Sequence, residues 1–417
     1  MSRPPAAELE SFLAEVLPGP WVDAVRSGDD ASLARLIADR EFARSLADKV
    51  AADGWLTAEW PIEYGGRGLD ADAAVGVRRM LARWQIGTVE SAVGTGWVGP
   101  AILQFGDEQQ RGELLTPISR NEAFWCQLFS EPEAGSDLAS LRTRGRRDGA
   151  DWVIDGAKIW TSRADVATWG LAVVRTDNSV TKHAGLTCFC IRMDSPGLEI
   201  RRIRQMTGDS EFYEVRLDNV DVSDRYRLGD PGQGWEIVRA VLAFERKAGS
   251  GSGAATPGSV VGRSIEELIA EHKNLTDAWT RTRLIDTWVE SRLIALNNER
   301  NAALSAAGRG PIGGGAPINK VLQAEHTKRL QSLRMELGGI DATNPRSEDY
   351  VGTADLWAYL RVQPKTIAGG TSEVLRDQIA ERALGMPRSV DPSKGVPWSE
   401  FLQGLTGSRG GKDAGSR

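Results

Sequence analysis

The residue pattern changes twice along the chain, from helical to strand-like near residue 123 and back to helical near residue 234. In the first zone, Leu33, Leu36 and Ile37 recur at helical spacing between charged residues. In the middle zone, short β-rich segments alternate with turn signals, and no helical stretch separates them. This series predicts an antiparallel sheet or barrel and disfavours the βαβ units of a Rossmann domain. The expected fold class is therefore α+β.

The predicted domain boundaries lie where the periodicity changes. We expect an N-terminal helical domain over residues 1–122, a β domain over 123–232 and a second helical domain over 233–390. Residues 391–417 form a predicted tail, partly disordered, because its last part is rich in Gly, Ser and charged residues. Asp155-Gly156 is among the expected turns. The candidate strands are Trp152–Ile154, Trp160-Thr161, Trp169–Val174, Gly185–Ile191, Glu199–Ile203 and Tyr213–Leu217.

The composition is that of an ordinary globular protein, with 41% hydrophobic and 26% charged residues and a net charge of −6. A mildly acidic balance argues against nucleic acid or an anionic membrane surface as the main partner. No apolar run approaches the roughly 18 residues needed to span a bilayer, and the N-terminus does not read as a signal peptide. Cys188 and Cys190 fit buried strand positions, and neither the cysteines nor the three scattered histidines suggest a metal site. We expect a cytoplasmic enzyme.

The segment 234–248 predicts an amphipathic helix that carries one misplaced carboxylate. Val238, Val241 and Glu245 fall on one helical face, together with Leu242, while the other charged residues lie elsewhere around the helix. Burying an ionised carboxylate on an apolar face costs free energy, so such a group tends to have a raised pKa and often a functional role. The alternative is a glutamate that is paired with a neighbouring helix or half-exposed at the rim.

Three further segments have compositions that suit a cofactor, although each has a plainer interpretation. Phe129–Asp137 predicts a tight loop with hydroxyl and amide donors, or an ordinary surface turn. Trp160 beside hydroxyl residues suits stacking on a flat cofactor, or is a core tryptophan. Ile367–Arg376 places a glycine turn before an apolar helix, where exposed N–H groups could bind phosphate. As a bare pattern, this last signal is weak.

Six stretches, in this order, resemble the acyl-CoA dehydrogenase family. The resemblance runs from roughly residue 5 to 390. The matching stretches are Pro61–Gly66, Ser130–Leu138, Asp155–Ser162, Arg204–Gly208, Phe244–Arg246 and Gly369–Glu373 through Glu381–Gly385.

The resemblance implies a fold, a cofactor and a set of binding residues. The family fold is an N-terminal helical domain, a middle antiparallel β-barrel-like domain and a C-terminal four-helix bundle. Family roles imply that FAD is the cofactor and that an acyl-CoA thioester is the substrate. The residues that would contact FAD are Gln127, Phe129, Ser130, Trp160 and Ser162 at the flavin ring, and Thr371 and Glu373 at the adenosine diphosphate end. Ser136 would lie along the CoA portion of the substrate.

The reaction that the resemblance implies is α,β-dehydrogenation of an acyl-CoA to the 2-enoyl-CoA, as in lipid β-oxidation. A base takes the α-proton and FAD accepts a hydride from the β-carbon. In many members the base precedes the Gly-Thr of the C-terminal motif, but that position is Gly369 here. Another branch, including isovaleryl- and long-chain-type enzymes, places the glutamate on the bundle helix, which corresponds to Glu245 followed by Arg246. We therefore expect Glu245 to be the catalytic base and Arg246 to contact the substrate.

One departure affects the expected partners. The family's Arg-x-x-Phe-Gly segment, which reaches the FAD pyrophosphate of a neighbouring subunit, has no clear counterpart in residues 263–285. In this the chain resembles a bacterial subgroup associated with bulky acyl-CoA substrates such as sterol side chains. We expect a homo- or hetero-oligomer, a dimer or tetramer, with an electron-transfer flavoprotein as acceptor. The alternatives are a flavin monooxygenase or oxidase of the same fold, and a non-catalytic subunit of a heteromeric dehydrogenase.

Overall fold

The structure is a computed structural model, which describes residues 4–86, 92–250, 262, 264–307, 309, 315–343 and 354–410. The chain divides into two compact units. The first unit contains residues 1–203, 210–254 and 391–417, and the second contains residues 204–209 and 255–390.

The helices confirm the predicted alternation of helical and β-rich zones. None of the helices in the described ranges combines the length and apolarity that a membrane span requires. In chain order they are α1 (Pro5–Val16), α2 (Gly19–Ser27), α3 (Asp30–Ala38), α4 (Arg40–Ala52), α5 (Ala71–Arg83), a π-helical turn (Gly94–Val98), α6 (Gly99–Phe105), α7 (Glu108–Ser119), α8 (Gly234–Ser250), α9 (Ile265–Glu271), α10 (Ala278–Ala306), α11 (Gly315–Thr343), α12 (Ala354–Val362), α13 (Ser372–Arg382) and α14 (Trp398–Gly410).

The N-terminal helices enclose a core of their own. Tryptophans fill much of it, and Trp21 donates its indole N–H to the carbonyl oxygen of Trp84 at 2.9 Å. Several helix starts are capped by the side chain of the preceding aspartate, as at Asp70 before α5. At the start of α7, Asp107 and Gln110 form a reciprocal capping box. Local capping and apolar periodicity therefore agree in this zone, which explains why its helices could be predicted.

The middle zone forms one eight-stranded sheet, in the order β6-β7-β3-β2-β4-β5-β8, with β1 paired to β4 outside that path. Most pairs are antiparallel, as predicted, but β1 runs parallel to β4, with Gln127 opposite Leu171. The strands are β1 (Trp125–Leu128), β2 (Arg144–Asp148), β3 (Asp151–Ser162), β4 (Trp169–Arg175), β5 (Leu186–Arg192), β6 (Leu198–Ile203), β7 (Phe212–Val222) and β8 (Arg227–Leu228).

The central strands of this sheet are covered on both faces. Every residue of β4 is buried, and its side chains alternate between two cores. Leu171 packs in the core shared with the helices, whereas Ala172 packs in the core on the opposite face. The cysteines behave as predicted, because Cys188 and Cys190 are buried in β5 and carry free thiols.

Strand β3 corrects one sequence-based prediction. Trp152–Ile154 and Trp160-Thr161 were expected to be separate strands divided by a turn at Asp155-Gly156, but they belong to a single strand. Gly156 has φ 156, and the pairing with β7 shifts register there and again between Lys158 and Thr161. A Cβ on Gly156 would lie 2.3 Å from the hydroxyl of Thr143. Gly156 therefore allows a β-bulge and the close approach of Thr143, and it does not form a turn.

Helix α8 joins the sheet to the N-terminal helices. It packs against β4, β5, α6 and the π-helical turn, and its residues Ile237, Val238 and Val241 are fully buried. Gly94 and Gly99 allow the π-helical turn and the start of α6 to approach their neighbours closely. Extra Cβ atoms there would lie 3.1 Å from Ile118 and 2.1 Å from the ring of Trp60 respectively.

The described part of the second unit is helical. The long helix α11 packs against α10, α12 and α13, and Gly339 (φ 56) interrupts it near its end. Trp357 of α12 donates its indole N–H to Asp209 at 2.8 Å, which ties the segment 204–209 to this unit. The helical nature of this zone was predicted, and its internal boundaries were not.

The C-terminal residues form more structure than the sequence suggested. Residues 391–404 belong to the first unit, and α14 begins at Trp398, which is only 3% exposed. The sequence predicted a tail over residues 391–417, with disorder in its Gly-, Ser- and charge-rich part from Gly404 onward. Residues 411–417, the last part of that predicted tail, lie outside the described residues.

The tight packing at Gly99 makes a testable prediction. Replacing Gly99→Ala places a methyl group in the Trp60 ring, so we expect destabilisation of about 1–3 kcal/mol. Gly112→Ala is the matched control, because Gly112 is exposed within α7 and a Cβ there meets no other described atom within 4 Å. The control should gain about 0.4–1 kcal/mol. Thermal and denaturant unfolding would measure both effects, and equal effects would contradict the packing described at Gly99.

Candidate active site

Two segments predicted to hold a flavin ring lie side by side in the first unit. The backbone N–H of Ile159 donates to the carbonyl oxygen of Ser130 at 2.9 Å, which joins the end of β1 to β3. Phe129 is buried, whereas Gln127 and Ser130 are half-buried and keep polar groups near the surface. Hydrogen-bonding groups from both segments are therefore available along one short stretch of sheet.

Trp160 combines an unusual backbone conformation with an exposed side chain. Its φ is +61, in the left-handed region that non-glycine residues rarely adopt, and its side chain is 57% exposed. It lies in the irregular pairing between Lys158 and Thr161, and its ring meets Phe212 edge-on at 6.3 Å. The interpretation of Trp160 as a core tryptophan is therefore wrong. β-bulges beside active sites commonly re-aim a side chain in this way.

Thr161 adds a polar atom without a protein partner. Its hydroxyl is buried, with 1% of the residue exposed, and forms no hydrogen bond with the described residues. Buried hydroxyl groups normally have a partner, so this atom is a candidate contact for a bound group or a water molecule. Ser162, next along β3, is half-buried.

A fully buried lysine holds these segments together. The ammonium of Lys158 donates to the carbonyl oxygens of Phe129 (3.1 Å) and Val173 (2.7 Å) and to the carboxylate of Glu131 (2.8 Å). Glu131 in turn accepts from the backbone N–H groups of Arg142 at 2.6 Å and Thr143 at 2.9 Å. This ion pair connects β1, β3, β4 and the segment before β2.

Both charges of this pair are under strong electrostatic influence. Burial lowers the pKa of Lys158, and the nearby Glu131 carboxylate offsets part of that effect. For Glu131, burial alone would raise the pKa, but the Lys158 ammonium and the donated hydrogen bonds outweigh it and hold the pKa below the usual glutamate range. Each group of the pair thus favours the charged form of the other.

The loop after Ser130 is anchored by two cations. The guanidinium of Arg175 donates to the carbonyl oxygens of Ala139 (2.6 Å), Leu141 (3.3 Å) and Lys182 (3.0 Å). Burial lowers the pKa of Arg175 to about 10, so it stays charged at neutral pH. Lys182 forms an ion pair with Asp137 at 2.6 Å. Ser136, the expected CoA contact, is exposed on this anchored loop.

Glu245 lies on the face of α8 that the sequence indicated. It is half-buried, one turn beyond the fully buried Val241. Glu236 and Arg239 of the same helix are exposed, so α8 has one charged face and one apolar face. Arg246 falls within α8, but its side chain lies outside the described residues. The role of Glu245 as base stays a prediction.

The expected nucleotide contacts lie in the second unit. Thr371 caps α13, its hydroxyl accepting from the N–H of Val374 at 3.2 Å, and Glu373 is exposed in the first turn. Lys320 donates to the carbonyl oxygen of Gly370 at 3.2 Å. Gly369 and Gly370 have φ values of 67 and 96. Because a residue with a side chain is strained in this conformation, the turn suits glycine and not a catalytic glutamate.

No role was predicted for Lys158, Glu131, Arg175 or the Lys182–Asp137 pair. A signal existed for the first two, since each lies inside a stretch that carried the family resemblance. Glu131 follows the buried strand β1, and Lys158 lies within β3. Their pairing depends on β1 and β3 becoming neighbours, which no local pattern reveals.

The fold and the site together define a large α+β enzyme with a β domain between helical regions. Family models for acyl-CoA dehydrogenases match nearly the whole chain. The N-terminal domain model matches residues 26–122, the middle domain model residues 126–220 and the C-terminal domain model residues 232–384.

Several characterised relatives and solved structures are similar to this chain. Acyl-CoA dehydrogenase IpdE1 of Mycobacterium tuberculosis is 34% identical, over 92% of this chain and 97% of the relative. Acyl-CoA dehydrogenase FadE34 of the same organism is 37% identical over 86% of this chain, which spans about half (48%) of that longer relative. Among solved structures, the Tcur3481-Tcur3483 steroid ACAD is 28% identical with a TM-score of 0.72, covering 92% of this chain and 97% of that one. The ChsE4-ChsE5 complex of Mycobacterium tuberculosis is 27% identical with a TM-score of 0.71, with the same coverage.

The chain belongs to the acyl-CoA dehydrogenase family. It is an oxidoreductase of this FAD-dependent family, and its reaction is the dehydrogenation of an acyl-CoA. The family resemblance, the fold class and the reaction class predicted from the sequence are thereby confirmed.

The buried ion pair makes a prediction about stability. Lys158→Met leaves the Glu131 carboxylate buried without its ammonium partner, which should cost about 3–5 kcal/mol of unfolding free energy. Lys49→Met is the control, because Lys49 is exposed on α4, and its effect should stay within about 0.5 kcal/mol. Denaturant unfolding at pH 7 would measure the difference, and a near-neutral Lys158→Met would contradict the role of the pair.

The same variant should show a defined pH dependence. In the wild type the folded-state pKa of Glu131 is lowered, so ionised Glu131 contributes to the free energy of unfolding. This contribution is complete above the usual glutamate pKa range and is lost as the pH falls through the folded-state pKa. Acid also neutralises the unpaired carboxylate in Lys158→Met. The stability gap between the two proteins should therefore shrink as the pH falls, and a constant gap would contradict this electrostatic origin.

Proposed function

We propose that the flavin ring of FAD binds against Gln127, Phe129, Ser130, Trp160 and Ser162. The residues present fit such a group. Trp160 offers an exposed aromatic face, Gln127 and Ser130 retain half-buried polar groups, and the Thr161 hydroxyl lacks a protein partner. A flat heterocycle with polar edges requires this combination of stacking and hydrogen bonding. Bound FAD would supply the acceptor for the hydride that leaves the β-carbon.

We further propose that the glycine turn and the start of α13 hold the diphosphate end of FAD in the second unit. The N-terminus of α13, with Thr371 as its cap, presents backbone N–H groups suited to an anionic group. Glu373 is exposed in the same turn, where a carboxylate can accept from sugar hydroxyl groups. Lys320 fixes the backbone of this turn through Gly370.

Glu245 is the base in this proposal. Glu245 is half-buried beside the apolar face of α8, and a glutamate carboxylate in such a position can serve as a general base for α-proton abstraction. The α-proton of the substrate would be transferred to the Glu245 carboxylate and held there as the carboxylic acid. Gly369, the alternative location of a base in the family, lies at φ 67 and carries no side chain. Ser136 on the anchored loop would contact the CoA portion of the thioester, and Arg246 follows the base as a further substrate contact.

The substrate class is proposed to be a bulky acyl-CoA, with a sterol-derived acyl group as the leading candidate. The observation that supports this is the similarity to a steroid ACAD across 92% of this chain, together with the glutamate on α8 and the glycine at 369. A straight-chain acyl-CoA is the alternative.

The protein is also proposed to act as an oligomer with a related or identical subunit. Helix α10 exposes an apolar stripe at helical spacing, which is typical of an interface. The stripe consists of Ile285, Trp288, Val289, Leu293 and Leu296, between 40% and 58% exposed. The similarity to the ChsE4-ChsE5 complex supports a heteromer as much as a homo-oligomer. An electron-transfer flavoprotein as acceptor and a cytoplasmic location complete the proposal.

Replacement of Glu245 tests the catalytic assignment. Glu245→Gln keeps the size of the side chain and removes its basicity, so we expect kcat to fall by about 10²–10⁴ or more. The protein should stay yellow, because the flavin contacts lie elsewhere. Glu236→Gln is the matched control on the same helix, where the side chain is exposed. Dye-linked dehydrogenation would be measured beside the visible spectrum.

The possible outcomes of this experiment separate the alternatives. Unimpaired turnover in Glu245→Gln would overturn the assignment of the base. A colourless wild-type protein that releases no flavin on denaturation would instead favour a non-catalytic subunit. Rapid oxygen consumption without an electron acceptor would favour an oxidase or monooxygenase of the same fold.

A panel of thioesters tests the substrate class. We expect kcat/KM to be at least about tenfold higher for acyl-CoA esters with a fused-ring or branched acyl group than for straight chains of similar length. Each substrate would be assayed with the same artificial acceptor and enzyme preparation. A preference for straight-chain substrates would contradict the proposal while leaving the reaction class intact.

A further inference from the structure

The C-terminal strap, residues 391–404, follows the part of the chain that the family models cover. The C-terminal family match ends at residue 384, and the chain then returns to the first unit from Asp391 onward. A segment of this kind is ordered only where buried contacts and hydrogen bonds hold it against the rest of the protein.

The backbone of the strap is bonded to the turn between β4 and β5. The N–H of Trp398 donates to the carbonyl oxygen of Val180 at 2.8 Å, and the N–H of Ser399 donates to that of Asn178 at 3.0 Å. Pro397 forms an antiparallel bridge with Thr181. The strap thus extends the sheet region locally at the β4–β5 turn.

Trp398 covers the two cations that anchor the loop carrying Ser136. The Arg175 guanidinium lies 4.9 Å from the centre of its ring, and the Lys182 ammonium lies 5.6 Å away. Phe401 stacks on the indole at 5.5 Å and completes a small aromatic layer. Cations over a buried indole are held in place and shielded from water, which strengthens their bonds on the other side.

The other side of both cations is the 130–141 loop. Arg175 donates to the carbonyl oxygens of Ala139 and Leu141, and Lys182 pairs with Asp137, the residue after Ser136. The side chain of Asp137 is 65% exposed, and besides its ion pair with Lys182 it accepts a hydrogen bond from the Ser140 hydroxyl. A continuous series of contacts therefore runs from Trp398 through Lys182 to Asp137.

We propose that Trp398 is a positioning residue, and that the strap orders the 130–141 loop for binding the CoA portion of the substrate. The inference rests on the proposed role of that loop. Trp398 does not touch the reacting atoms. Its effect should therefore appear in substrate affinity and loop order, while the chemical step and flavin binding are conserved.

The test uses the full-length, flavin-loaded protein and the variants Trp398→Ala and Trp398→Phe. Trp398→Ala should raise KM for the acyl-CoA by about fivefold or more, with kcat changed by less than about twofold. Hydrogen–deuterium exchange in peptides covering 130–141 should be faster. Trp398→Phe keeps an aromatic ring over the cations and should restore most of both effects. Glu400→Ala, at an exposed strap position, is the control and should match the wild type.

A second variant guards against a general folding defect. Asp137→Asn changes an exposed side chain at the far end of the contact series, so it should raise KM in the same direction without affecting stability. Combining it with Trp398→Ala should add little, because both act on one series. Unchanged KM and unchanged exchange of 130–141 in Trp398→Ala would overturn the proposal.

The outcomes are distinguishable from failure of the proposed function. If the wild type fails to dehydrogenate any acyl-CoA, the proposed function fails, but the exchange measurement still decides whether the strap orders the loop. If the wild type is active and Trp398→Ala lowers kcat as much as kcat/KM, the strap supports the chemical step and the positioning proposal is wrong.

Discussion

The buried ion pair of Lys158 and Glu131 is the interaction on which the arrangement of the site depends. Three hydrogen bonds from its ammonium group join Lys158, within β3, to the carbonyl oxygens of Phe129, just after β1, and Val173, within β4, and to the Glu131 carboxylate. A pair of buried charges is a costly way to join strands, because desolvation consumes much of the Coulomb attraction. The pair instead specifies how the strands are placed, because a misplaced strand would leave a charge or a carbonyl group unpaired. The register between the two segments proposed to contact the flavin ring, residues 127–130 and 159–162, is thereby strongly specified.

The irregular end of β3 lies next to this anchor. Lys158 points inward to Glu131, and the pairing of β3 with β7 shifts register over the next residues, between Lys158 and Thr161. Trp160 takes φ +61 there, and its ring is directed out of the core. Strain of this kind persists only where the surroundings over-determine the backbone. The buried Lys158 and the strained, exposed Trp160 therefore lie two residues apart in the same irregular part of β3.

The sequence predicted the features that depend on local periodicity and missed those that depend on which strands become neighbours. The helices, most strands and the face of α8 that carries Glu245 follow from spacing alone, since burial repeats with the period of the element. Asp155-Gly156 has the composition of a turn, but Thr143 packs against Gly156 and requires a bulge. The burial of Trp398 could not be predicted either, because it involves contacts with Arg175 and Lys182, more than 200 positions away.

The placement of the base on α8 has a consequence for the design of the enzyme. Glu245 and the ring-contact segments belong to the same compact unit, whose core includes the buried face of α8 and strands β4 and β5. If Glu245 is the base as proposed, its distance from the ring-binding segments is set by that core and not by the glycine turn. Gly369 and Gly370, at φ 67 and 96, then need no catalytic side chain and can form the turn that precedes α13. In the proposal, proton abstraction therefore depends on the packing of α8, and phosphate binding depends on the backbone at the start of α13.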